Sequence, residues 1–248
     1  MMIKITAKCS MGCSHCMNDA KATGGHMTFD TFKQVIAFQN KYGGPFCMIT
    51  GGEPSEHPDF KMFIEYAVQN TNAFITVATN GLWMTMNKNF IEYCENQYGI
   101  RLLFQVSYDP RYYPIPLDIS LPVFKSQNVV VIDNIPKIYP QGRALANGIP
   151  WEAKGSKCFN VRAVTHQVDF KDLRHIIGIL AVKDKICTPH ITINGDIKLG
   201  ESDLCPVCSH INKSQHEIVQ DILDFRCQKC NHVNNNLESY YKAIIGET

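Results

Sequence analysis

Between residue 3 and about residue 133 the chain passes repeatedly from a short apolar or β-branched run to a longer segment of helical period. This alternation limits the fold more than any other feature. IKITA (3–7) reads as a first strand, and TFDTFKQVIAFQNKY (28–42) as a helix with Thr28 near its N-cap. PFCMIT (45–50) is a second strand, followed by the helical HPDFKMFIEYAVQN (57–70). AFITVAT (73–79) and KNFIEYCENQYG (88–99) repeat the pair, RLLFQVS (101–107) is a fourth strand, and NVVVID (128–133) at least one more. Strands and helices at this spacing predict an α/β fold whose parallel sheet is covered by helices, with chemistry in the loops after the strands.

The order changes after about residue 134. PKIYPQGRALANGIP is rich in turn formers, and 165–185 has no period that assigns it. HITINGDIKL (190–199) reads as two short strands joined at Asn194 and Gly195, a strong hairpin signal. Six of the eleven cysteines crowd around this hairpin, at 158, 187, 205, 208, 227 and 230. The chain is therefore expected to divide into a core over 1–154 and a small cysteine-rich, metal-binding module over 155–248. A segment that short struggles to make a core of its own without metal.

Composition excludes several classes of function. With 24 Lys and Arg against 23 Asp and Glu, the net charge of +1 gives no general attraction to a nucleic-acid backbone. The N-terminus lacks the apolar run of a signal peptide, and no stretch of about 18 apolar residues offers a membrane span. A cytoplasmic protein with no membrane partner is expected, and in that reducing compartment cysteines favour metal over disulfides.

CSMGCSHC places Cys9, Cys13 and Cys16 in C-x3-C-x2-C directly after the first strand, one ligand short of a structural zinc site. Three thiolates can instead hold three corners of a cubane iron-sulphur cluster and leave one iron open to a small molecule. A zinc site completed by His15, His26 or a late cysteine is the alternative on spacing alone. The second strand ends in TGGEP, where Gly51 and Gly52 permit close backbone approach, Glu53 offers an acceptor for an ammonium group and Pro54 stiffens the exit. The third ends in TNG (79–81), with Asn80 suited to a sugar hydroxyl or carboxylate, and the fourth near Ser107 and Asp109. Each of these alone could be a turn, and Ser107 a plain strand-end hydroxyl.

Taken together, Cys9, Cys13 and Cys16, then Gly51, Gly52, Glu53 and Pro54, then Asn80, Gly81 and Ser107 resemble the radical S-adenosylmethionine (SAM) enzymes, over roughly residues 3–145. The resemblance implies a partial (βα)6 TIM-like barrel. It implies a 4Fe-4S cluster on the three cysteines, whose open iron binds the amino and carboxylate groups of SAM. His15 stands where the family often has an aromatic residue and would pack near the cluster or the adenine. The implied chemistry is one-electron cleavage of SAM to a 5'-deoxyadenosyl radical that removes a substrate hydrogen, with an external reductant such as flavodoxin or ferredoxin. PQGRA (140–144) resembles a stretch in peptide-modifying members, in which Arg143 would meet a carboxylate; a surface arginine in a turn is the alternative.

Cys205 and Cys208 pair with Cys227 and Cys230 as two C-x2-C units, which alone make a tetrathiolate zinc pattern. Cys187 before the hairpin and Cys205 after it resemble instead a divergent or truncated SPASM or twitch extension. One auxiliary 4Fe-4S cluster is expected, using Cys187, Cys205, Cys208 and one of Cys227 and Cys230, with zinc as the alternative; Cys158 is a ligand or a spare. The leading expectation is modification of a ribosomally made peptide by thioether or carbon-carbon crosslinking, dehydrogenation or epimerisation. The alternatives are a glycyl-radical enzyme activase, a radical enzyme acting on a small molecule or nucleoside, and a non-catalytic zinc module.

Overall fold

The computed structural model describes residues 1–42, 45–133, 138, 142–149, 189–199 and 205–225. The alternation read from the sequence is present as β1 (Met2–Thr6), α1 (Phe29–Tyr42), β2 (Phe46–Gly51), α2 (Phe60–Asn70), β3 (Phe74–Thr79), α3 (Lys88–Tyr98), β4 (Leu102–Ser107) and β5 (Val129–Ile132). Thr28 caps α1 as expected, its hydroxyl accepting the amide of Thr31 at 3.2 Å. The five strands are parallel neighbours in the order β5-β4-β3-β2-β1.

The predicted hairpin forms too, as β6 (His190–Ile191) and β7 (Asp196–Lys198), with Gly195 at φ +89° in the turn. It does not stand apart from the sheet. β6 pairs in parallel with β1, and β7 pairs with a further antiparallel strand, β8 (Val207–His210), so one eight-stranded mixed sheet runs through. This arrangement is consistent with a partial (βα) barrel. The division at 154/155 lies outside the described residues.

Two helices were not read from the sequence. α4 (Gly142–Ala146) falls in the stretch rich in turn formers, and α5 (Gln215–Asp224) follows β8. α5 carries a local signal in SQHE, a capping box in which Ser214 and Glu217 satisfy each other's backbone amides. No helix among the described residues is long and apolar enough to cross a membrane.

The two faces of the sheet differ chemically. Ile3, Ile5, Ile49, Ile75, Val77, Leu102, Phe104 and Val106 are buried in one core with Phe32, Phe63, Ile64 and Ile91 of the helices. The alternate residues, among them Lys4, Thr50, Thr76, Ala78, Gln105 and Ser107, are only half-buried. A parallel sheet covered on both faces would read as nearly continuous apolar runs. Alternation here leaves one face open to a site.

Close backbone contact at the ends of β1 and β2 fixes that opening. Past the regular pairing, the Gly52 amide donates to the Thr6 carbonyl at 2.7 Å and the Glu53 amide to the Lys8 carbonyl at 2.8 Å. A Cβ on Gly52 would lie 2.2 Å from the Lys8 carbonyl oxygen, so only glycine fits without parting the two chains. Gly52→Ala is expected to cost about 3 kcal/mol or more, as overpacking against backbone that cannot yield, measured by urea unfolding of the metal-free chain.

Candidate functional site

The C-terminal ends of β1 to β4 and the loops after them surround a cavity of about 180 Å³. Cys9, Cys13 and Cys16 line it together with Gly51, Gly52, Glu53, Asn80, Ser107 and Arg143. Residues from five separate stretches of sequence therefore meet in one place. Pro54 is buried just beyond, opening a short 3-10 helix over Pro54–Glu56. Cys187, Cys227 and Cys230 lie outside the described residues, as does Cys158.

Glu53 is the organising group of this rim. It is 2% exposed, and its carboxylate accepts from the Ser55 amide (3.2 Å) and hydroxyl (2.7 Å), the Thr79 hydroxyl (2.7 Å) and the Asn80 amide (2.6 Å). Burial pushes its carboxyl above the ordinary glutamate range, and these four donors oppose the rise. Thr79 passes the connection on: its hydroxyl also accepts from the Gly81 amide (3.1 Å) and the Trp83 indole (3.0 Å). Asn80 accepts the Leu82 amide at 2.9 Å, starting the 3-10 turn Leu82–Met86. The TNG segment thus shapes the rim as well as lining it.

The cysteine loop has little regular structure and is held from several directions. Cys9 donates its amide to the Lys21 carbonyl at 2.9 Å, and Ser10 gives its amide and hydroxyl to the two oxygens of Glu56 at 2.6 and 2.8 Å. The Ser14 amide reaches the Tyr112 carbonyl at 3.1 Å. Arg143 donates to the carbonyls of Cys13 (2.9 Å) and Ala20 (2.7 Å). Burial, reinforced by Cys9 and Cys16 and opposed by Arg143, pushes the Cys13 thiol up to about 12. Burial likewise raises Cys9, with Glu53, Glu56 and Cys16 adding to the rise.

An aromatic wall closes one side of the cavity. His15 packs against Tyr112 and Tyr113, with ring centroids at 5.0 and 5.9 Å, and its buried Nδ1 has no hydrogen-bond partner among the described residues. The Tyr113 hydroxyl donates to the Ser107 carbonyl, and burial pushes that phenol well above its ordinary range. Tyr113 was not identified from sequence, where RYYP carries no spacing that separates it from its neighbours.

The donor set fits a cluster of the 4Fe-4S kind. Three thiols border one space, beside the Glu53 carboxylate and a buried ring nitrogen of His15 that has no partner among the described residues. Among the described residues, no three His, Cys, Asp or Glu side chains form a group that could hold a single metal ion. Of the expected second centre, Cys205 and Cys208 are described. Cys208 sits on β8 with its thiol donating to the Ile197 carbonyl at 3.1 Å, and burial pushes it up to about 12.

Comparison with known proteins agrees with this geometry. Residues 3–104 match the family model described as the Radical SAM superfamily. The match supports enzymatic activity of the radical SAM type. The AdoMet-dependent heme synthase of Methanosarcina barkeri is 30% identical over 84 residues, 33% of this chain and 24% of that protein, so the chain spans about a quarter of this curated relative. Among solved structures, anSMEcpe with bound AdoMet and Cp18Cys peptide superposes with a TM-score of 0.51 at 10% identity, covering 98% of this chain and 83% of that one. Streptococcus suis SuiB bound to S-adenosylmethionine gives 0.55 at 13%, covering 96% of this chain and 67% of that one. At these identities the likeness to both structures is one of fold alone.

The joint between Glu53 and Thr79 provides a test of the rim. Thr79→Val keeps the shape but strands the Gly81 amide and the Trp83 indole and removes a donor from a buried carboxylate, an expected loss of about 3 kcal/mol. Thr79→Ser, which keeps the hydroxyl, is expected to lose about 1 kcal/mol; equilibrium denaturation of both variants measures the difference.

Proposed function

We propose that this chain cleaves S-adenosylmethionine reductively and directs the resulting radical to a carbon of a peptide substrate. The observation that carries the reading is the meeting of Cys9, Cys13 and Cys16 with the GGE end of β2, Asn80 and Ser107 in one cavity at the C-terminal ends of parallel strands. When bound, the cluster and SAM would supply an electron to the sulphonium and a 5'-deoxyadenosyl radical for hydrogen abstraction.

The chain's own residues bind, orient and exclude water. Cys9, Cys13 and Cys16 would hold three irons. Gly51 and Gly52, which press against the Thr6 and Lys8 carbonyls, line the cavity where the methionyl part of SAM would lie, while Glu53 and Pro54 fix that strand end and Asn80 and Ser107 would offer polar groups to the carboxylate or ribose. The wall of His15 and Tyr113 keeps water from the reacting side. Cys205 and Cys208, with Cys187 and one of Cys227 and Cys230, are proposed to hold one auxiliary 4Fe-4S cluster, with zinc as the alternative. A peptide substrate is supported by the likeness of fold to a protein solved with AdoMet and a peptide together. A flavodoxin- or ferredoxin-like reductant would supply the electron. The match to an AdoMet-dependent heme synthase favours a second reading, in which the substrate is a small molecule.

Anaerobic incubation with SAM and dithionite is expected to yield 5'-deoxyadenosine, and Cys9→Ala, Cys13→Ala and Cys16→Ala each to abolish it. Cleavage that survives these changes would refute the reading. Iron analysis of about eight atoms per chain supports the auxiliary cluster, and about four removes it. Mass spectrometry of a candidate peptide then separates the substrates: a loss of two mass units marks a crosslink or dehydrogenation, and no modified peptide favours the small molecule.

The raised Cys9 and Cys13 thiols give the pH dependence of loading. Both are protonated near neutrality in the metal-free chain, so each must release a proton to bind iron. Apparent affinity for iron is expected to rise steadily from about pH 6.5 to about pH 8.5, with proton release detectable by an indicator dye in weak buffer.

A further inference from the structure

The segment 142–149 is far from the cysteine loop in sequence yet is fastened along its length. Gly142 approaches so closely that a Cβ there would lie 2.5 Å from the Met17 carbonyl oxygen. The Ala144 amide donates to the Cys16 carbonyl at 3.2 Å, and Asn147 Nδ2 to the Ser14 carbonyl at 2.8 Å. Between them, Arg143 places Nη1 on Cys13 and Nη2 on Ala20, with Asp19 Oδ1 3.5 Å from Nη2. Asp19 itself has φ +44°, a left-handed conformation that marks a sharp bend in the loop here.

We propose that Arg143 is a positioning residue, which holds the cysteine loop in its cluster-binding shape and sets a fixed positive charge beside the thiolates, and is not the receptor for a cofactor carboxylate. The proposal rests on the cluster reading above. A guanidinium recognises a carboxylate best through two parallel N–H groups of its planar fork. Here both terminal nitrogens are committed to loop carbonyls, and a carboxylate from Asp19 stands beside one of them. Arg143 is also the one Lys or Arg among the described residues lining the cavity, where the Glu53 carboxylate and, once a cluster is bound, three thiolates would concentrate negative charge. Its side chain is only 23% exposed, so the charge is less screened than at the surface. A cation fixed beside a cluster favours its more negative, reduced state and so raises its reduction potential.

The test uses the full chain reconstituted anaerobically with iron and sulphide, as wild type, Arg143→Gln, Arg143→Lys and Asn147→Ala. Its readouts are the rate of iron loss to a chelator, the midpoint potential without SAM from an EPR-monitored titration, and SAM affinity from the change in the EPR signal. Arg143→Gln is expected to shift the midpoint to more negative potential. Arg143→Lys keeps the charge and is expected to leave the midpoint in place. Both should lose iron roughly tenfold faster than wild type, the usual scale for removing a group that orients metal ligands. Asn147→Ala should lose iron faster with an unmoved midpoint, and SAM affinity of the loaded protein should stay within about threefold throughout. An Arg143→Gln variant with wild-type iron retention and potential but at least tenfold weaker SAM binding would make Arg143 the carboxylate receptor and overturn the proposal. If Arg143→Gln retains too little cluster to titrate, Arg143→Lys decides: accelerated iron loss supports the proposal, and wild-type retention overturns it. A wild-type chain that assembles no cluster would remove the underlying reading as well, whereas variants that match wild type remove the proposal alone.

Discussion

The buried carboxylate of Glu53 is the constraint on which the rim of the site depends. A carboxylate taken out of water is costly unless its oxygens are hydrogen-bonded, and every donor to it among the described residues comes from the ends of β2 and β3 or the turns just after them. Satisfying it draws Ser55, Thr79 and Asn80 into one arrangement, and Thr79 extends that to Trp83. Trp83 in turn packs against Phe60, Phe90 and Phe104 of the core. The polar rim is thereby anchored in the packing beneath it, and the position of Asn80 follows from the needs of Glu53.

The cysteine loop shows a complementary solution. It follows β1, lacks a continuous ladder of its own, and must nonetheless direct three side chains into one space. Its backbone groups are satisfied by Lys21, Tyr112 and α4, and Glu56 takes both the amide and hydroxyl of Ser10. Apart from Lys21, which follows β1 as the cysteine loop does, these partners come after three other strands, β2, β4 and β5. A loop fastened this way takes its shape only when the sheet has brought those loops together, which makes assembly of the site dependent on folding of residues as late as Asn147.

The sequence discloses the parts of this design that rest on local pattern. Strand and helix alternation located β1 to β5 and α1 to α3, because period and composition are properties of a short window. The spacing of Cys9, Cys13 and Cys16 and the glycines of GGEP pointed to one site, for the same reason. What stayed hidden depends on distant partners. α4 is a single short turn whose formation goes with its bonds to residues 13 to 20, and nothing within PQGRALAN announces them. Likewise, the hairpin was legible from Asn194 and Gly195, but its place beside β1 was not, since two residues of parallel pairing leave no trace in composition. Tyr113 belongs to the same class, defined by what it meets and by no pattern around it.

The cavity proposed for this chemistry is not the largest among the described residues. A groove of about 460 Å³ runs between α3 and the 3-10 turn at Pro122–Lys125, lined by Lys88, Glu92, Glu95 and Lys125 with Ile91 and Val123. Its charged side chains are of mixed sign, and Glu95 already accepts the Ser126 hydroxyl at 2.6 Å. It lies against a covering helix, where an α/β fold presents side chains for packing and solvation. The smaller cavity lies at the C-terminal ends of the strands, where loops from successive βα units converge and where the chain has spent its thiols, its buried carboxylate and its close glycine contacts. Volume measures room for a ligand; the rim around Glu53 and the fastened cysteine loop supply reasons for one to bind, and on that ground the smaller space is the candidate site.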